Sequence, residues 1–160
     1  MLQSPPRLSR LLPLAACLLF ALAAAPRVWA QQDQIEATSD PVLREYKGVH
    51  IGMAADEARK KLGSPADKSD QQDLFSPSDK ETIQVSYDAQ HNVAAIAVMY
   101  MPGADKAPAC KDVLGADLTA KPDGSMYRLV RYPKAGYWVS YSRTPGDAPL
   151  VTVMMQRYKP

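Results

Sequence analysis

The sequence predicts an α+β fold in which short helices pack on an antiparallel β-sheet, arranged as two tandem α/β-meander repeats. Three observations carry this expectation. Ile83, Val85 and Tyr87 alternate with Thr82, Gln84 and Ser86, the period of two expected of a strand with one buried face. The stretch GMAADEARKKLGSP, Gly52 to Pro65, carries the start and stop signals of a very short helix. The same order of features then recurs. Lys111 to Gly115 echoes Lys60 to Gly63, Val139-Ser140-Tyr141 echoes Val85-Ser86-Tyr87, and Val153-Met154-Met155 echoes Val98-Met99-Tyr100, at offsets of 52, 54 and 55 residues. Nearly constant offsets point to an internal duplication.

Residues 1–30 read as a secretory signal peptide, because Arg7 and Arg10 precede the apolar run LLPLAACLLFALAAA and Val28-Trp29-Ala30 forms a cleavage site. The run from Leu11 to Ala25 has 15 residues. A membrane-spanning helix needs roughly 18 to 20, so no transmembrane helix is expected in the mature chain. Leu14-Ala15-Ala16-Cys17 also fits a lipobox, which leaves a second reading open: a lipid anchor at Cys17 on an outer-membrane lipoprotein. The apolar run continues beyond Cys17, which favours cleavage after Ala30 and a secreted or periplasmic protein.

The mature chain, Gln31 to Pro160, is long enough for one domain or two very small ones. The leader holds three of the 19 basic residues and none of the 17 acidic ones, so the remainder is 16 against 17, net −1. That balance gives no reason to expect a nucleic-acid partner. Cys110 is left without an intramolecular partner and reads as a small, partly buried apolar residue.

Residues 31–41, QQDQIEATSDP, are too polar to bury much and read as a flexible leader. The first repeat is expected at 42–103, opening with a short strand from Tyr46 to Ile51, and the second at 104–160. In the helix, Ala54, Ala58 and Leu62 make a narrow apolar stripe. Asp56 and Glu57 in the first turn and Arg59, Lys60 and Lys61 in the last complement its dipole. Gly63 suits a left-handed exit and Pro65 blocks continuation. A helix this short must be held by packing. Val93 to Tyr100 is apolar on both faces and reads as the better-covered strand, after which Pro102, Gly103 and Pro108 break the pattern. Met126–Tyr132 and Gly136–Ser142 flank Pro133-Lys134-Ala135-Gly136 as a hairpin.

The leading Gly52-Met53, the acidic first turn, Leu62-Gly63-Ser64-Pro65 and the following meander resemble the envelope family of the small outer-membrane assembly lipoprotein BamE (SmpA/OmlA). The tandem arrangement is similar to the beta-lactamase-inhibitor-protein fold. The resemblance implies a helical brace on a sheet whose surface binds another envelope protein. The chain departs from the family at Ala54, where Ser or Thr usually caps the helix.

Catalytic chemistry is not expected. His50 and His91 lack metal-ligand spacing, and no nucleophile elbow, phosphate loop or dinucleotide fingerprint occurs. Asp67, Asp70 and Asp73 lack the glycine and closing glutamate of a calcium loop and read as a solvated loop. No cofactor and no metal are therefore expected. Charge is more informative. Residues 31–123 hold 10 basic and 16 acidic residues, whereas residues 124–160 hold 6 and 1, interleaved with tyrosines and Trp138. Arg, Tyr and Trp are enriched in interface hot spots, although they also serve as ordinary strand formers on a solvated face. The candidate partner-binding residues are Arg128, Arg131, Tyr132, Trp138 and Arg143. Alternation puts Tyr137, Val139 and Tyr141 towards the core and Trp138, Ser140 and Ser142 on the other face. Two functions remain open: a noncatalytic exported module that assembles or inhibits an envelope protein, and a periplasmic binder of a small molecule or cell-wall glycan.

Overall fold

The computed structural model describes residues 34–158, so the expected signal peptide and Cys17 lie outside the described residues. Ten elements follow in chain order: β1 (Gln34–Glu36), α1 (Ala55–Leu62), β2 (Asp67–Lys68), β3 (Gln72–Ser78), β4 (Glu81–Tyr87), β5 (Val93–Tyr100), α2 (Cys110–Leu114), β6 (Met126–Tyr132), β7 (Tyr137–Arg143) and β8 (Val151–Arg157). The strands form one sheet in the order β1-β6-β7-β8-β5-β4-β3-β2. Every neighbouring pair is antiparallel except β1 with β6, so the α+β sheet is mixed.

The four strands β2–β5 follow α1 and the three strands β6–β8 follow α2, each set an antiparallel meander, and the two meet where β5 pairs with β8 from Ala95–Gln156 to Tyr100–Val151. The break at 102–108 is thus a connection within one sheet. Cross-strand partners share a face, and the row Ile83–Val98–Val153–Tyr141 is buried beneath the helices together with Ala55, Ala58, Cys110 and Val113. Full burial of each large aliphatic contributes about 1.5–3 kcal/mol relative to exposure.

Four local expectations are corrected. Gln34–Glu36, within the expected leader, pairs in parallel with Leu129–Arg131 because main-chain bonding at a sheet edge needs no apolar side chains. Tyr46 to Ile51 is a tight turn in which Tyr46 and Val49 exchange two hydrogen bonds, with Lys47 and Gly48 at positive φ. The buried stripe of α1 is Ala55 and Ala58, and Ala54 is its exposed, side-chain-uncapped N-terminal boundary. The solvated loop around Asp73 is instead β2 and β3, with Asp73 fully buried. The helix end and the hairpin follow the sequence. Gly63 leaves α1 at φ 89°, and Ala135 N–H donates to the Tyr132 carbonyl at 3.0 Å. Both edge strands are only two or three residues long, which limits edge-to-edge pairing.

Candidate functional site

Both helices lie on the core face, and no described helix covers the opposite face of the sheet. Register aligns Gln84, Ala97, Met154, Ser140 and Leu129 in one row of that face. Ser86, Ala95, Gln156, Trp138 and Arg131 form a second row, and Thr82, Met99, Thr152, Ser142 and Tyr127 a third. Strands β4, β5, β8 and β7 contribute twelve of these side chains, and none is charged. With 22% of the chain charged, two or three charges would be expected among twelve positions. Solvated surfaces typically carry about 25–35% charged residues, so this face departs from that composition.

The centre combines Met154, Ala97 and Met99 with Ser140 and Leu129, the last two nearly buried by their neighbours. Methionine adapts its shape to an apposed surface, which suits a docking face. Charge appears at the rims. Arg131 donates to Gln34 Oε1 at 3.2 Å on one side, and Asp67 pairs with Leu74 at the far edge.

The five sequence candidates do not assemble into one patch. Arg131 and Trp138 are cross-strand neighbours on the uncovered face, with Trp138 half-buried. Arg128, Tyr132 and Arg143 point to the core side. Tyr132 is only 3% exposed, and the Nε of Arg128 is buried without a hydrogen-bond partner among the described residues. Interleaving along a strand is the cause: residues an odd number apart emerge on opposite faces. The uncharged centre was missed, although the neutral set Thr82, Gln84 and Ser86 was a visible signal of it.

At one end of this face lies a cleft of about 470 Å³ lined by Ser86, Gln90, Ala95, Met154, Gln156 and Tyr158. On the other side of the molecule, a charged cleft of about 520 Å³ holds Glu81 at its wall. There, Tyr46 hydroxyl and Lys47 Nζ (2.8 Å) both donate to Glu81 Oε1, and Lys80 donates to the Gly103 carbonyl at 3.0 Å. Burial would raise the Glu81 pKa, but these donors hold it below the usual carboxylate range. Burial, followed by the bond to Glu81, pushes the Tyr46 phenol well up. This network ties the 46–49 turn to β4. His50 is exposed, and the His91 carbonyl accepts the Ala55 N–H at 2.9 Å, anchoring the start of α1.

No family model matches the chain, and no curated protein and no solved structure matches it either. No helix among the described residues is long and apolar enough to cross a membrane.

Proposed function

We propose that this chain is a noncatalytic, exported protein-binding module of the bacterial cell envelope, which assembles or inhibits a partner through the uncovered face of its sheet. The observation carrying the reading is the absence of charge from the twelve central side chains of that face. Depletion of charge, with methionine and an aromatic present, is the composition of an interface core. A short helix followed by an antiparallel meander occurs twice, with four strands after α1 and three after α2, which supports a duplication of the BamE-like unit and a beta-lactamase-inhibitor-protein-like arrangement. In this reading the short helices are braces, and the partner meets the strands.

The test is crosslinked capture from envelope extract with residues 31–160 as bait. One partner near stoichiometry, lost with Met154→Lys and retained with Lys60→Glu on the exposed side of α1, is the expected result. Equal capture by both variants would overturn the reading, because the partner would then not touch this face.

A further inference from the structure

The cleft at one end of the uncovered face shares Ser86, Ala95, Met154 and Gln156 with the proposed docking surface and adds Gln90, Ala94 and Tyr158. Its lining divides into an apolar part, Ala94, Ala95 and Met154, and a neutral hydrogen-bonding part, Ser86, Gln90 and Gln156. Two charged residues, Asp88 and Arg157, also line it, and they bond to each other and to the backbone. Arg157 Nη1 donates to Asp88 Oδ2 at 2.7 Å, and Asp88 Oδ1 accepts the Gln90 and Asn92 N–H groups at 3.0 and 2.9 Å. Asp88 is held below the ordinary carboxylate range by the Asn92 N–H first and then by Arg157. A neutral ligand leaves this paired arrangement intact.

We propose that this cleft binds a neutral N-acetylated sugar unit. The acetamido group joins a methyl to an amide, and the cleft places small apolar side chains beside two carboxamides. Ser86, Gln90 and Gln156 can both donate to and accept from ring hydroxyls. Tyr158 lines the cleft, and Trp138 lies directly opposite Gln156 on the same face, so aromatic surface is available for the apolar face of a ring. Its volume falls within the roughly 300–1,000 Å³ of ordinary ligand pockets. This inference does not rest on the protein-docking reading, since the cleft would serve equally in a protein that captures no partner.

The experiment is a titration of the exported protein with an N-acetylglucosamine trisaccharide, with a glucose trisaccharide as control. Of the two tryptophans in the chain, Trp29 leaves with the expected signal peptide, so Trp138, cross-strand from the cleft residue Gln156, is the emission probe. The expected result is saturable emission change and heat for the N-acetylated sugar alone. Gln156→Ala should weaken binding about tenfold, the loss of one good hydrogen bond. Ala95→Leu, which fills the apolar part, should abolish it, and both variants should keep the native circular dichroism spectrum. No saturable signal at millimolar sugar would overturn the proposal. Binding unchanged in Gln156→Ala would also overturn it, by placing the sugar elsewhere. Loss of partner capture in Gln156→Ala without any sugar binding would assign the cleft to protein docking instead. Capture and titration are read separately, so either reading can fail alone.

Discussion

Arg59 in α1 grips Asp73 in β3 through two hydrogen bonds, Nε to Oδ2 at 2.7 Å and Nη2 to Oδ1 at 3.2 Å. Tyr87 in β4 donates its hydroxyl to the same Oδ2 at 2.6 Å, and the guanidinium lies 5.4 Å from the Tyr87 ring centroid. An eight-residue helix with two buried alanines has little apolar surface of its own. The bidentate pair supplies directional attachment that this narrow stripe lacks.

Removing Arg59 should therefore cost more than a surface ion pair. Arg59→Met leaves the Asp73 carboxylate buried without its cation and is expected to destabilise the fold by about 3 kcal/mol. The double variant Arg59→Met/Asp73→Leu should recover most of that loss, because no uncompensated charge remains. Denaturant unfolding of both variants checks this, and a double variant no more stable than the single one would refute it.

Acid should weaken the fold through Asp73 and Glu81. Burial would raise the Asp73 pKa, but the bonds from Arg59 and Tyr87 outweigh it and hold the carboxyl low, as Lys47 and Tyr46 do for Glu81. Depressed folded values mean that the stabilisation is present above the unfolded carboxylate pKa of about 4. It is lost as pH falls through the still lower folded values. Unfolding free energy measured from pH 6 down to pH 2 should fall below about pH 4, less steeply in Asp73→Asn. A flat profile in the parent protein would contradict the assignment.

Trp138→Ala should separate binding from stability. The side chain is half-buried on the uncovered face, whereas its neighbours Tyr137 and Val139 are in the core. Partner capture is expected to drop at least about tenfold, as for a hot-spot aromatic. The melting temperature should change little. Unchanged capture with a large melting-temperature loss would make Trp138 a structural residue.

Cys110 should be inert in the native protein. It is buried, and burial pushes its thiol pKa up. Thiol reagent should label it slowly under native conditions and fully in denaturant. Rapid native labelling would show that α2 opens readily from β7.

Patterns within a few residues were enough to place several elements of this protein. Alternation located β4, the apolar run located β5, Pro133 to Gly136 located the β6–β7 turn, and Gly63 with Pro65 located the end of α1. Each is legible because the deciding physics, a side-chain period or a backbone preference, lies inside the segment itself. Asp73 shows the opposite case. In QDLFSPS it resembles a loop aspartate, and only the arrival of Arg59, 14 residues earlier in the chain, makes its burial tolerable. The binding candidates divide the same way. Composition drew attention to Arg128, Arg131, Tyr132, Trp138 and Arg143, but side and register sent three of them to the core side of the sheet. The uncharged face itself exists only because β5 pairs with β8, uniting two meanders into one sheet. Long-range pairing, which local pattern cannot specify, decided which side chains share the helices' face and which lie on the opposite one.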